Sequence, residues 1–213
     1  MITEHLDTLI SRYPSLSICR DSIFAAYSIL EESFASGGKL LLCGNGGSAS
    51  DCEHIAGELM KGFKMPRTLS GEAKAAFEKL DAHAGRSVAQ ALQGALPCIA
   101  LSGHPALSTA FANDRDPLMV FAQQVWGYGA KGDTLLAIST SGSSRNVYYA
   151  ALAAKVKGMK IIALTGARGG SLSSIADATI AVPEEETYRA QELHLPVYHC
   201  LCLMLEERFF SVV

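Results

Sequence analysis

No cluster of basic residues appears anywhere in this sequence, which removes one class of partner at the outset. Lysine and arginine number 18 against 21 aspartates and glutamates, a net charge of −3, whereas a nucleic-acid surface needs a basic stripe or patch. A long apolar run is missing too. The longest, residues 193–205, is interrupted by histidine and by Pro196, too short and too polar for a bilayer span. The first ten residues, MITEHLDTLI, carry two acids and no basic stretch, unlike a secretion signal. Cysteines 19, 43, 52, 98, 200 and 202 form no Cys-x-x-Cys pair, and are expected to be buried, reduced thiols of a cytoplasmic protein. Charge of either sign is scarce, at 18% of residues against 49% hydrophobic. That balance excludes a disordered chain and points to surface buried between subunits.

What is present reads as one α/β domain over residues 1–213, long enough to bury a sizeable core. Five short runs have the character of strands: 39–44 (KLLLCG), 97–102 (PCIALS), 134–140 (TLLAIST), 160–166 (KIIALTG) and 178–183 (ATIAVP). None alternates apolar with polar, as expected of strands covered on both faces. Segments of helical spacing lie between them, among them 117–128 and 144–157, so a parallel sheet is expected. Residues 1–36 read as two helices broken near Pro14, and 187–211 as a terminal helix carrying Pro196. The stretch 68–96, rich in Ala, Lys and Glu, reads as one or two helices inserted after the first strand.

Two strand-to-helix turns are unusually rich in small and hydroxylic residues. Gly44-Asn45-Gly46-Gly47-Ser48 follows the first strand, and Ser139-Thr140-Ser141-Gly142-Ser143-Ser144 the third. Glycine lets backbone approach a ligand, hydroxyls donate hydrogen bonds, and a helix N-terminus adds partial positive charge. Neither turn carries the lysine of a nucleotide P-loop, and no Gly-x-Gly-x-x-Gly fingerprint occurs. A phosphate on a small molecule fits better than a nucleotide. His54 and Glu58 then fall at i and i+4 on one helix face, as a surface pair, an acid/base pair or two metal ligands. The segment YRAQELHLPVYHC adds Gln191, His194 and His199. Asn113 and Asp114, in FANDRDP, are either a cap or a pair that orients sugar hydroxyls. His5, His83 and His104 are read as terminal, structural or exposed.

Taken together, CGNGGSASDCEHIAGE, FAND, ISTSGSSRNV, KIIALTGARGG and RAQELHLPVYH resemble the sugar-isomerase (SIS) domain, most closely its phosphoheptose isomerase branch. The resemblance implies a three-layer αβα sandwich around a five-stranded parallel sheet, with the inserted helical segment and a long C-terminal helix. It implies an aldose–ketose isomerase that converts sedoheptulose 7-phosphate to D-glycero-D-manno-heptose 7-phosphate, for the synthesis of cell-surface glycan precursors. Carried over by position, Glu58 and His199 are the implied catalytic residues. Asn45, Gly46, Gly47, Asn113, Asp114 and Gln191 would meet the sugar, with Ser48 and Asp51 beside them, and Ser139, Thr140, Ser141 and Ser144 would hold the phosphate. His54, Glu58, Gln191 and His199 match positions that hold zinc in that branch, so one zinc ion per site is expected.

Two departures stand out. The 68–96 segment is much longer than the matching loop of that branch, and Lys61-Gly62-Phe63 replaces a pattern with arginine before the aromatic. Both keep open an isomerase for a different phosphosugar. A related branch, the DnaA-associating initiator proteins, carries non-catalytic residues where Glu58 and His199 stand here, which favours an enzyme over a non-catalytic binding protein. Gln191 and His199 are eight residues apart, about 12 Å along a straight helix. Pro196 could shorten that gap by a kink, but drawing the two from different chains of the homotetramer that the resemblance implies lets them share one ion without strain. No nucleic acid or membrane partner is expected.

Overall fold

The computed structural model describes residues 2–211, which form an α/β fold built from nine helices and five strands among those residues. In chain order these are α1 (Ile2–Arg12), α2 (Arg20–Ala35), β1 (Leu40–Cys43), α3 (Gly47–Met60), α4 (Gly71–Leu80), α5 (Ala84–Ala91) and β2 (Cys98–Ala100). There follow α6 (Pro105–Asp114), α7 (Val120–Tyr128), β3 (Thr134–Ser139), α8 (Arg145–Val156), β4 (Lys160–Thr165), β5 (Ala178–Ala181) and α9 (Thr187–Phe210). Every strand expected from an apolar run is present, each slightly shorter than its run. Pro14 opens a 3-10 turn between α1 and α2, where its missing N–H costs nothing.

All strand pairs are parallel, in the order β2-β1-β3-β4-β5. Successive strand residues face opposite sides, and two separate cores show it. Leu40, Leu42, Leu136, Ile138, Ile162 and Leu164 pack with Ile23 and Leu30 of α2, Ile55 and Leu59 of α3, and Val197 and Leu201 of α9. Leu41, Leu135, Ala137, Ile161 and Ala163 pack on the other face with Val125 of α7 and Val147, Ala150 and Ala154 of α8. Two covered faces are why β1 is apolar at every position, and each buried leucine there contributes about 1.5–3 kcal/mol. The result is the expected three-layer sandwich.

The strand order determines where a site forms. From β1 the chain crosses to β2 on one side, then returns to place β3 on the other. Open α/β sheets bind ligands at such a reversal, beyond the carboxyl ends of the strands. The turns after β1 and β3, the two singled out by composition, are neighbours at that point.

The inserted segment forms two helices, α4 and α5, that cross at Gly85, where a Cβ would lie 2.0 Å from the Phe77 carbonyl oxygen. Helix α4 has no buried residue. The hairpin joins the body at its base, through the antiparallel bridge between Thr68 and Gln93 and a 2.6 Å bond from Gly94 N to Arg67 O.

Candidate active site

The turn after β1 is shaped by two glycines. Gly46 caps α3 with φ +55°, a left-handed backbone that disfavours any side chain. Gly47 lies under Gln191 of α9, and a Cβ there would come within 2.5 Å of Gln191 Nε2. Ser48 is buried in the first turn of α3. Asn45 exchanges paired side-chain amide bonds with Asn146, at 2.9 and 2.8 Å, and so ties the β1 turn to the start of α8. In the β3 turn, Ser139 Oγ lies 3.4 Å from Ser141 Oγ and 3.0 Å from Ser144 Oγ, and Ser143 N donates to Ser141 Oγ at 3.2 Å. Thr140 O accepts from Gly166 N at 2.9 Å. Three hydroxyls therefore converge at the N-terminus of α8, a neutral cradle of the type that receives phosphate.

Below this cradle, α3 and α9 present the ionisable groups. His54 Nε2 lies 3.3 Å from Glu58 Oε1 and 3.4 Å from His199 Nε2, and Lys61 Nζ lies 3.3 Å from Glu58 Oε2. The Tyr198 hydroxyl lies 3.0 Å from His54 Nδ1 and 3.2 Å from Asp51 Oδ1. An ionised Glu58 accepts only, so His54 must offer it N–H at Nε2. A neutral His54 then has Nδ1 as an acceptor, and the single Tyr198 proton is shared between that nitrogen and Asp51 Oδ1. Whenever it lies on His54, Nε2–H is the nitrogen that faces the carboxylate. Phe63 packs its ring against His199, with centroids 5.3 Å apart. Burial, then the neighbouring His54, hold the His199 pKa below the ordinary imidazole value, with Glu58 pulling the other way. Burial raises the Asp51 pKa, opposed by the Tyr198 hydrogen bond and by His54. Burial, then the Asp51 charge, raise that of Tyr198.

Not every expected residue arrives. Asn113 and Asp114 end α6, where the Asn113 amide donates to Asp114 Oδ1 at 3.0 Å on an exposed surface. No hydrogen bond among the described residues ties either to the groups around Glu58. His194 is fully buried, and neither ring nitrogen makes a hydrogen bond of full geometry among the described residues. Burial lowers its pKa to about 4, against a smaller pull from the Thr165 backbone. Two partners were not anticipated, Tyr198 and Asn146. The Tyr-His pair in PVYHC was their nearest signal, but nothing in it marks the tyrosine as facing α3.

The zinc expectation is overturned. Among the described residues no group of three or more His, Cys, Asp or Glu side chains is arranged to hold a metal ion. The reason lies in how the four expected ligands are spent. Glu58 is shared between His54 and the Lys61 ammonium, a cation that repels another. His54 faces His199 and Tyr198, while Gln191 packs on Gly47. With no ion to share, the eight-residue separation of Gln191 and His199 no longer requires two chains. His54, Glu58 and His199 already meet within one.

A parallel sheet with glycine- and serine-rich turns at its reversal, and a carboxylate 3.3 Å from one of two paired imidazoles, fit the αβα class of sugar-phosphate proteins. The chain belongs to the SIS-domain family of phosphosugar isomerases: the family model described as SIS domain matches residues 16–93 and 70–166. Within that family it is similar to the phosphoheptose isomerase of a Nitratiruptor species, 38% identical over 98% of this chain and 96% of that protein. It is 41% identical to the phosphoheptose isomerase of Thermodesulfovibrio yellowstonii, over 86% of this chain and 79% of that one. Among solved structures, phosphoheptose isomerase GmhA from Neisseria gonorrhoeae superposes with a TM-score of 0.74 at 30% identity, covering 97% of both chains.

Proposed function

We propose that this enzyme converts sedoheptulose 7-phosphate to D-glycero-D-manno-heptose 7-phosphate through a cis-enediol(ate). The observation that carries the reading is the meeting of Glu58, His54 and His199 within 3.3–3.4 Å, on helices that start or pass beside the serine cradle. The relatives named phosphoheptose isomerase supply the choice of sugar.

In this reading Ser139, Thr140, Ser141 and Ser144 hold the phosphate, and Asn45, Gly46, Gly47, Ser48, Asp51 and Gln191 line the sugar's path from it, with Asn113 and Asp114 at the outer edge. The Glu58 carboxylate takes a proton from C1 of the ketose and returns it to C2. His199, held neutral, gives a proton to the C2 oxygen as charge develops there and recovers one from the C1 hydroxyl. The Lys61 ammonium, 3.3 Å from Glu58, adds positive charge beside the enediolate. A positioned acid or base of this kind contributes roughly 10²–10⁴-fold. The test is direct: pure protein incubated with sedoheptulose 7-phosphate in deuterium oxide should form the aldose with deuterium at C2. Absence of both product and label rejects the reading.

A second sugar phosphate is favoured by one observation. Gln93, at the base of the α4–α5 hairpin, accepts from Gly62 N at 2.6 Å, so the insertion abuts the segment that follows Glu58. Turnover of a pentose or hexose phosphate in preference to the heptulose would select that reading.

The same proposal takes the protein as a cytoplasmic homotetramer whose sites are completed by neighbouring chains. Exposed Ile18 (73%), Trp126 (54%) and Val156 (76%) supply apolar surface for such contacts, and all six cysteines are free and buried. No helix among the described residues is long and apolar enough to cross a membrane. Sedimentation equilibrium giving a monomer, or recovery of the protein outside the cytoplasmic fraction, would count against each part in turn.

A further inference from the structure

Behind the proposed base lies a charged pair that the reaction does not touch. Arg67 and Glu206 are buried to 0% and 1% side-chain exposure, with Arg67 Nε 2.8 Å from Glu206 Oε1. The guanidinium also donates from Nη1 to Leu59 O at 2.7 Å and from Nη2 to Glu58 O at 2.9 Å, and its plane lies 4.5 Å from the Phe210 ring. Those carbonyls belong to the last turn of α3, where helical oxygens lack partners in the helix itself. Glu206 accepts in turn from Phe63 N and Lys64 N at 2.8 Å and from Met65 N at 3.1 Å. Burial alone would raise its pKa, but those amides and Arg67 outweigh it and hold the carboxyl below its ordinary value.

We propose that Arg67 and Glu206 are positioning residues that set Glu58 against His199. The inference rests on the isomerase reading for its kinetic consequence, though not for its geometry. Glu206 and His199 share α9 and stand seven residues apart, about two turns and on one face. One rigid helix therefore carries both the imidazole and the carboxylate that fastens the chain leaving α3. The carbonyl gripped through Arg67 is that of Glu58 itself. The amide gripped directly is that of Phe63, whose ring lies on His199. By contrast, the polar contacts of the Glu58 side chain among the described residues are two of 3.3 Å, one of them to exposed Lys61. Its placement depends on its backbone. A buried ion pair is a poor source of net stability, since an apolar replacement is often neutral or better. Its value here is geometric.

Arg67→Lys is the sharpest test, because lysine keeps the charge opposite Glu206 but cannot fork to three acceptors. A displacement of Glu58 near 1 Å should lower kcat by about 10²-fold, with KM for the sugar phosphate little changed and circular dichroism as in the parent. The crystal structure of the variant should show the Glu58 carboxylate moved away from His54 and His199. The Arg67→Met, Glu206→Met double variant, which leaves no unpaired buried charge, keeps the test open where the single variant fails to fold. It should show the same loss of kcat. Parental kcat in a folded variant, or an unchanged Glu58–His54–His199 arrangement in its structure, overturns the proposal. If the parent itself does not turn over the heptulose phosphate, the isomerase reading fails, and the crystallographic comparison still decides the positioning role.

Discussion

Two segments meet at the peptide bond between Arg67 and Thr68 and are built on opposite terms. On one side, residues 58–67 are fastened to α9 by a buried carboxylate and a buried guanidinium, with three main-chain amides and two helix carbonyls satisfied between them. On the other, the α4–α5 hairpin exposes Leu80 (85%), Val88 and Leu92, and α4 buries nothing. The difference follows what each must do. Proton transfer tolerates little displacement of a base, which fits the over-determined chain around Glu58, the proposed base. The hairpin carries none of the proposed reacting groups and is joined at its base, so its sequence is freer of such demands.

The comparison breaks first if the fastened side proves dispensable. Glu58→Gln keeps the shape of the side chain and its contact to His54, but removes the proposed base. Deuterium incorporation at the sugar carbon should fall by about 10²–10⁴-fold, while phosphate binding to the Ser139–Ser144 turn persists in calorimetry. Near-parental exchange would assign the base elsewhere.

Next in size is a pH effect on the same side. The pKa of buried His194 is lowered to about 4, so the fold favours the neutral ring, and the unfolded chain takes up a proton first. Its stability contribution is complete above about pH 6.5 and is lost as pH falls toward 4, amounting to roughly 3 kcal/mol. His194→Leu should flatten the denaturant midpoint over that window relative to the parent. Parallel pH profiles for the two proteins would show that His194 does not titrate in this way.

A smaller effect is expected at Tyr198. Tyr198→Phe removes the hydroxyl that lies between His54 Nδ1 and Asp51 Oδ1; because His54 is exposed, water can replace it there, and the cost is that of one ordinary hydrogen bond, about 0.5–1.5 kcal/mol. Part of that should appear as lost turnover, since His54 can then present either nitrogen to Glu58. Unchanged kcat with unchanged melting temperature would remove Tyr198 from the site.

These residues also mark how far the sequence could be read. The five strands were legible because unbroken apolar runs ending in Gly, Ser or Thr have few other meanings. The two turns were legible because glycine and serine at a strand end expose backbone. His54 and Glu58 were legible by helical spacing alone. Tyr198, Asn146, Arg67 and Glu206 were not, because each acts through a partner 101 to 147 positions away, and no local period encodes which face of α9 meets α3. The zinc expectation came from matching positions without knowing how they pair. Lys61, noted as a departure, is the residue that occupies Glu58 instead. Asn113 and Asp114 were placed by motif, and an exposed helix end is where the fold puts them.

The smallest expected effect lies across the boundary. The antiparallel bridge of Thr68 to Gln93 and the bond from Gly94 N to Arg67 O hold the two ends of the hairpin together. A short Gly-Ser turn can therefore replace residues 69–92 without moving either end. Shortening a loop changes closure entropy only slowly with length, by about 0.6 kcal/mol per twofold change. Helix α4 contributes no buried side chain, and the two residues buried in α5 are Gly85 and Ala89, which go with the hairpin, so the core loses nothing large. Leu96, which does belong to the core, stays. The shortened chain should unfold within about 1 kcal/mol of the parent and retain kcat on its best sugar, because Gly62 and Gln93 remain in contact. A loss of several kcal/mol would mean that the hairpin packs on a neighbouring chain in solution. A changed preference among sugar phosphates at unchanged stability would make it part of the substrate mouth. Either result erases the contrast between the two sides of Arg67, and the second also decides between the two sugars.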